Sequence, residues 1–476
     1  MTLSFEVLGA RLELREGIEK LNNGNDRFVR VLAQRDVIAL AFGAMIGFSW
    51  IVLAGDWVRN AGALGSVVAV LIGGVMVVFV GLTYSELVSA MPKAGGEHNY
   101  AWRAFGARGG FITSWAMALG YVAVVGFEAV ALPTAVNYAL PGIETGYLWT
   151  VAGGDVYLGW ALVGVAGAAI ITFLNYIGVK PAATFQFLVV LMLVAIGLLM
   201  IFGSVTGGEA ANFSPLFTGF GGLMAAVITT PFAFVGFDII PQSAEEINLP
   251  FRRIGALLIA SVALAVIWYV IVVVAIGLGL DRGALEASEL ATADAMKALF
   301  GSGIFANILI IGGVFGILTS WNAFLIGGSR LLYAMADSGM LPAWLGRIHP
   351  RYHTPSNAIL FIGAISLIAP FFGREILIWL VDAGSLNIVI AYLLVAVTFL
   401  ILRRKEPEMP RPFRVGRGQL VGIVAVLLSL FFVVQYLPGM PAGLIWPYEW
   451  AIVIVWWIAG AIFMFRMDVP EYSPEL

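Results

Sequence analysis

Gly43-Ala44-Met45-Ile46-Gly47 lies in the middle of an apolar run, residues 37–58. About 20 apolar residues in a helix cross the ~30 Å hydrocarbon layer of a bilayer, so this run reads as a transmembrane helix marked by two central glycines. A second run, 220–243, carries Pro231-Phe232-Ala233-Phe234-Val235-Gly236-Phe237-Asp238 at its centre. Interrupting a helix in lipid frees N–H and C=O groups, which is tolerated only where they face a cavity or a ligand. Two glycine-marked interruptions at matching places in two halves of a chain point to a solute site in mid-membrane.

Working outward, stretches that are long enough and poor enough in charge number twelve: 37–58, 64–91, 110–140, 156–175, 182–204, 220–243, 254–280, 304–336, 356–373, 375–402, 419–438 and 446–466. The third and eighth are the longest, over 30 residues each, and are expected to tilt or to extend past the bilayer. Helices one and six, and three and eight, correspond at an offset of five. An odd offset reverses the orientation of the second copy. The expected fold is therefore an all-α membrane protein, a 5+5 inverted repeat with two added C-terminal helices. Its parts are a cytoplasmic N-terminal segment, 1–35, a first repeat, 36–205, a second repeat, 206–403, and helices eleven and twelve with a cytoplasmic tail, 404–476. A membrane β-barrel is excluded, because its strands alternate in polarity and these runs do not.

Composition agrees with this reading. Hydrophobic residues make up 61% of the chain and charged residues 12%, against roughly 25% charged in soluble domains. The absence of cysteine removes disulfides, thiolate metal sites and a cysteine nucleophile together. His98, His349 and His353 each fall in a short polar segment, so no metal centre or other cofactor is expected. HExxH and GxSxG motifs are missing, and no filter repeat marks a channel; an enzyme is not expected. A net charge of −3 suggests no nucleic-acid partner. No pattern sets an oligomeric state.

Charge placement gives orientation. Of 26 Lys and Arg, all but Arg59, Arg282, Lys297 and Arg374 fall on the side of the N-terminus. Positive charge collects on the cytoplasmic side, so both termini are expected there, in an inner membrane of bacterial type. No apolar core with a small-residue cleavage site follows the start, so a cleaved signal peptide is not expected. Leu3, Val7, Leu8, Leu12, Leu14, Ile18 and Leu21 would make a weak helix lying on the membrane surface.

Four blocks carry a family likeness. They are Gly43-Ala44-Met45-Ile46-Gly47; Tyr84-Ser85-Glu86-Leu87 with Met91-Pro92-Lys93-Ala94-Gly95-Gly96-Glu97; Phe232 to Asp238 with Ala244-Glu245-Glu246-Ile247-Asn248-Leu249-Pro250; and Ser329-Arg330-Leu331-Leu332-Tyr333-Ala334-Met335-Ala336 with Gly339-Met340-Leu341-Pro342. In this order and spacing they resemble the amino acid–polyamine–organocation (APC) superfamily, and the sixth-helix block is most similar to the cationic amino acid transporters. The resemblance implies the five-plus-five fold of the sodium-coupled neurotransmitter transporters. It also implies a secondary transporter, a symporter or an exchanger, that carries a small amino acid by alternating access.

Carried over by position, the resemblance implies a substrate site at the two interruptions, Phe42 to Gly47 and Phe232 to Gly236. Gly43, Ala44, Met45 and Ile46 would present N–H groups to a carboxylate. The carbonyls of Phe42, Phe232, Ala233 and Val235 would receive the amine, and Phe234 would be an aromatic gate. Two features depart from the family. Met45 stands where a small residue is usual, which calls for a small substrate or another head group. Where some relatives carry a helix-five lysine, Phe185 to Phe202 holds no ionisable residue. The coupling ion is then Na⁺ or H⁺, and a Na⁺ site would draw on the Ala39 and Phe42 carbonyls and the Thr319 and Ser320 hydroxyls.

Two carboxylates within the apolar spans are candidates for gating or coupling, because a charge at the bilayer centre costs roughly 2.5–3.5 kcal/mol on insertion scales. Glu128 is a structural protonated acid, a cross-helix partner or an attractor of an amine. Asp238 is a proton carrier, an amine partner or the cap of the next half-helix. If both face the cavity, the alternative cargo is an amine or polyamine. Glu86 reads as a structural ion-pair partner; Glu245 and Glu246, near Arg252 and Arg253, read as a solvated cluster or a cytoplasmic gate.

Overall fold

Apolar runs of this length satisfy their backbone groups only within themselves, so they coil into helices. A computed structural model, which describes residues 28–467, places them near the expected limits. The first run is two helices, α1 (Gln34–Met45) and α2 (Ser49–Ala61), which meet at a 48° bend. Then come α3 (Ala63–Ala90), a short α4 (Glu97–Phe105) and α5 (Ala107–Ala139). A hairpin, β1 (Tyr147–Val151) with β2 (Gly154–Tyr157), leads to α6 (Leu158–Tyr176) and α7 (Val179–Gly207). The sixth run is α8 (Phe220–Ala233), a non-helical turn, and α9 (Ile239–Gln242). Beyond it lie α10 (Phe251–Gly279), the short α11 (Arg282–Ala287) and α12 (Ala291–Phe300), and α13 (Gly303–Asp337). The chain closes with α14 (Ser356–Ile368), α15 (Ile376–Lys405), α16 (Gly418–Gln435) and α17 (Tyr448–Arg466).

Among the described residues, nine helices are long and apolar enough to cross a membrane; the bent pair α1–α2 makes a tenth, and Phe220–Ala233 and Ser356–Phe372 are shorter apolar helices. The two longest are α5 and α13, of 33 and 35 residues. They pack against each other, and α5 also packs along α15, while α3 packs along α10. The expected surface helix from Leu3 to Leu21 lies outside the described residues.

Three elements have no counterpart in the sequence reading. The hairpin is nine strand residues between two long helices, and Trp149 ties it down by donating to the Phe371 carbonyl at 2.9 Å. Helix α4 is short and has too little apolar length to register as a span. Its first residues are buried, and His98 reaches Ser114 of α5 at 3.0 Å. Helix α12 fills a loop and packs against α13 and α10.

The face that carries Phe28–Ala33 is held by ion pairs between distant segments. Glu86 is a structural partner, as expected: its carboxylate meets Arg403 at 2.5 Å and Arg411 at 3.0 Å and accepts the Val415 N–H at 2.8 Å. Glu246 is no solvated group. It takes a two-pronged bond from Arg330 at 2.8 and 3.0 Å, and both side chains are 1% exposed. Its own carbonyl accepts the N–H groups of Val31 and Leu32, both at 2.9 Å. Neighbouring Glu245 accepts the Ala94 N–H at 3.1 Å, and burial pushes its carboxyl above the ordinary carboxylate range against that bond and the nearby Lys93.

Removing one member of a buried pair strands the other charge at a cost of about 3–5 kcal/mol, whereas apolar replacement of both is often nearly neutral. Arg330→Met is therefore expected to lower the melting temperature of the detergent-purified protein sharply. The double variant Arg330→Met with Glu246→Leu should recover most of the loss. A double variant as unstable as the single one would show that this pair is not what holds the Val31–Leu32 segment.

Candidate functional site

The first interruption falls at Ile46-Gly47-Phe48. Gly43, Ala44 and Met45 remain helical, and the Ile46 N–H closes the helix on the Phe42 carbonyl at 3.1 Å. Glycine permits a break without forcing one, so the expected carboxylate cradle at Gly43–Ile46 is displaced. The N–H groups of Gly47, Phe48 and Ser49 are the ones that make no backbone hydrogen bond to a described residue. The second interruption spans Phe234 to Asp238, where the carbonyls of Ala233, Phe234 and Val235 accept no backbone hydrogen bond from a described residue.

The two breaks touch. Gly236 has φ +132°, and a methyl group built on it would lie 2.6 Å from Ala44 Cβ and 3.0 Å from the Met45 nitrogen. Only glycine offers both that conformation and that closeness. On the other side a methyl group at Gly316 of α13 would lie 2.8 Å from the carbonyl oxygens of both Ile46 and Gly47. Tyr269 of α10 fastens the first break, since its hydroxyl donates to the Met45 carbonyl at 2.8 Å and lies 2.7 Å from Ser49 Oγ.

Between the breaks is a small cavity of about 20 Å³. Of the residues expected to bind substrate, Ala44, Met45, Gly47, Phe232 and Val235 line it. It also takes Phe48, Ser49, Phe127 and Ser320, which the sequence reading did not assign to a substrate pocket, and Glu128, which it offered as an attractor of an amine. The other expected residues point elsewhere. Phe42 packs edge-on to Trp268, and Gly43 backs onto Gln186, Val190 and Thr319. Ile46 and Ala233 are buried outside the lining.

Phe234, expected as an aromatic gate, does not line this cavity. Its ring packs against Tyr269 at 5.3 Å, away from the cavity. The aromatic layer over the cavity is Phe232 of α8, edge-on to Phe127 of α5 at 5.9 Å. Phe48, Ser49, Phe127 and Phe232 also border a second cavity of about 500 Å³, which reaches Glu289 and Arg374 on the far face. The aromatic pair, with Phe48 and Ser49, stands between the two spaces.

Glu128 of α5 is 1% exposed and lines the small cavity. Ser320 bonds to it, its Oε2 has no partner among the described residues, and its Oε1 would lie 2.7 Å from a methyl group on Gly47. Asp238 is placed differently. It accepts the Gly236 N–H at 3.0 Å, the Tyr392 hydroxyl at 2.8 Å and the Tyr121 hydroxyl, and it does not line the cavity. A polar layer continues below it, where Gln242 donates to Glu97 at 2.5 Å. This network closes the side toward Phe28–Ala33.

Three of the four residues expected for Na⁺ already take part in protein hydrogen bonds through the atoms that would face the ion. The Ala39 carbonyl accepts the side-chain amide of Gln186 at 3.2 Å, the Phe42 carbonyl takes Ile46, and the Thr319 hydroxyl turns to the Gly316 carbonyl at 2.9 Å. Gln186 is braced in turn by Asn322 at 2.8 Å, and Asn322 by Asn175 at 2.9 Å. A neutral carboxamide ladder occupies the junction of α1, α7 and α13.

Residues 32–465 match the sequence model of the amino acid permease family. The chain is 28% identical over 424 residues to a branched-chain amino acid permease, BcaP, of Bacillus subtilis, covering 87% of this chain and 89% of the relative. It is 26% identical over 444 residues to a methylthioribose transporter of the same organism, covering 92% and 93%. The mouse cationic amino acid transporter 4 shows 26% identity over 401 residues, 80% of this chain and 61% of the relative.

Side-chain ends yield more readily than backbone, which sets an order for two substitutions. Gly236→Ala presses on backbone atoms of Ala44 and Met45 and is expected to destabilise by about 1–3 kcal/mol. Gly47→Ala meets the side-chain ends of Glu128 and Ser320 and should cost less. Thermal melting of both purified variants checks the order; equal or reversed losses would mean the two breaks do not press on each other as described.

Proposed function

This chain belongs to the amino acid permease family, and from that premise we propose that it is a secondary transporter of a small apolar amino acid. The single observation that carries the proposal is the facing pair of breaks at one cavity, lined by Gly47, Phe48 and Ser49, whose N–H groups make no backbone hydrogen bond to a described residue, and by Val235, whose carbonyl accepts none. N–H groups at a helix start suit a carboxylate, and carbonyls suit an ammonium group. Met45, Val124, Phe127, Phe232 and Phe324 give the remaining wall an apolar character and little room, which favours a small side chain.

The arrangement proposed is twelve crossings, a five-plus-five inverted repeat and two added helices, with the short apolar helices α8 and α14 counted as crossings. The Lys and Arg bias argues that the face carrying Phe28–Ala33 is cytoplasmic. The cavity bordered by Arg374 is then external, the conformation is closed toward the cytoplasm, and Phe232 with Phe127 is the outer gate. Alternating access would exchange this aromatic layer for the Asp238 network as the closed side.

For coupling we propose H⁺ through Glu128 and not Na⁺. The Gln186 amide supplies the donor that the Ala39 carbonyl would otherwise seek in a cation. Glu128 lies beside Gly47, where a substrate carboxylate would bind, and two like charges that close cannot both be accommodated. Binding of the carboxylate would thus require a proton on Glu128, which ties substrate to proton.

The same residue supports the second reading, an amine carrier in which Glu128 holds the ammonium directly. Asp238 does not join it, since its oxygens are already taken by two tyrosines and Gly236. A ligand that binds the native state raises its apparent stability. Thermal shift with L-alanine, L-leucine, ethylamine and isopentylamine is expected to respond to an amino acid and not to its decarboxylated counterpart. An amine that stabilises as well as its parent acid would replace the carboxylate cradle by the Glu128 pair.

In proteoliposomes, uptake of the amino acid that gives the shift should be unchanged when choline replaces Na⁺. Glu128→Gln should abolish accumulation driven by a pH gradient while sparing substrate-for-substrate exchange. Na⁺-dependent uptake, or a variant that still concentrates substrate on a pH gradient, would end the coupling scheme.

A further inference from the structure

A third cavity, unrelated to the broken helices, opens at the junction of α15 and α16. It has a volume of about 730 Å³ and is lined by Arg403, Arg411, Arg414 and Arg417 together with the backbone from Val415 to Leu420. One acid, Glu86, faces two of these arginines and so cancels one charge of four. Glu406 is engaged by Arg103 at 2.5 Å and reaches the cavity only as a further acid near Arg411. Burial, and then the guanidinium groups of Arg403 and Arg414, press the Arg411 guanidinium below its ordinary range against the opposing pull of Glu86 and Glu406. Arg414 and Arg417 are exposed and make no ion pair with a described residue.

Backbone geometry adds to the excess. The first bond of α16 runs from the Val421 N–H to the Arg417 carbonyl, so the N–H groups of Gly418, Gln419 and Leu420 are free at the rim of the same cavity. A helix start carries about half a positive charge and suits a phosphate. Planar guanidinium groups bind phosphate oxygens in pairs. Positive charge alone would satisfy the orientation bias along a loop; here it converges on a concave space.

An apolar track leaves the cavity. Leu420, Ile423, Leu427 and Leu430 are exposed by 54%, 47%, 60% and 45% and recur at helical spacing along one side of α16. That side runs from the arginines into the depth of the membrane. A soluble anion has no use for it, whereas an acyl chain lies along it.

We propose that this cavity binds the phosphate head group of an anionic phospholipid, with an acyl chain laid along α16. The site rests on the membrane reading but not on the transported substrate, and it bears on helix packing because Arg403 and Arg411 also hold Glu86 of α3. A head group that occupies the cavity would brace α3, α15 and α16 on one face.

The full chain, purified in detergent, is to be melted with added phosphatidylglycerol, phosphatidylcholine or inorganic phosphate. Phosphatidylglycerol is expected to raise Tm above the phosphatidylcholine value, and inorganic phosphate at the same concentration is not. Arg414→Gln with Arg417→Gln should weaken phosphatidylglycerol binding about thirtyfold, taking roughly fivefold per arginine near an anionic surface, and remove the difference between the two lipids. Arg404→Gln, a charge lost from an exposed residue outside the lining, should keep it. Equal shifts from the two lipids, a difference that survives in the double variant, or a phosphate effect as large as the lipid's would each overturn the proposal.

Discussion

Unpaired peptide groups in a water-poor interior govern this molecule. A buried polar group without a partner costs several kcal/mol in an apolar medium, and two broken helices would free many at once. Much of the surrounding structure limits that cost. Tyr269 takes the Met45 carbonyl, Asp238 takes the Gly236 N–H, and Ile46 folds back on Phe42. Glycines at 236 and 316 let neighbouring backbone approach where a side chain would hold it off. What is left unsatisfied, N–H groups on one break and carbonyls on the other, has the polarity of an amino acid reversed.

The spans were legible because lipid imposes length and apolar character on each stretch separately. The family blocks located the breaks to within a few residues. The register of the side chains around them was not legible. A segment such as Phe234–Asp238 follows neither the helical nor the strand repeat, so position in sequence does not tell which ring faces the cavity. Phe232, still on the last turn of α8, does so, and Phe234 two residues later faces Tyr269. Glu128 was visible as a lone acid among apolar neighbours. Gln186 escaped notice because a search for an ionisable group passes over an amide, although an amide meets the same carbonyl.

Long-range partners were illegible for a different reason. Glu246 and Arg330 lie 84 residues apart, and nothing local to Glu246 distinguishes Arg330 from the nearer Arg252 and Arg253. Burial selects the partner: a planar guanidinium that donates two bonds compensates a buried carboxylate better than an exposed charge that water already serves. The hairpin between α5 and α6 was hidden by the shortness of its strands, and its anchor, the Phe371 carbonyl that takes Trp149, lies 222 residues along the chain.

The segment between α8 and α9 bears on both closures of the cavity. Phe232 stands near one end of it, in the aromatic layer toward Arg374, and Asp238 stands at the other, locked to Tyr121 of α5 and Tyr392 of α15. The segment is five residues long and packs tightly at Gly236 against Ala44 and Met45. On the proposed reading, a shift that draws Asp238 from its two tyrosines would also displace Phe232 against Phe127. Hydrogen bonds weaken steeply once their geometry is lost, while the aromatic contact loses little for a small slide. The stiff closure is thus the polar one and the compliant closure the aromatic one. On the proposed reading of alternating access, joining them through one segment would give the two sides of the cavity a common lever, which is what a site that must never open to both faces at once requires.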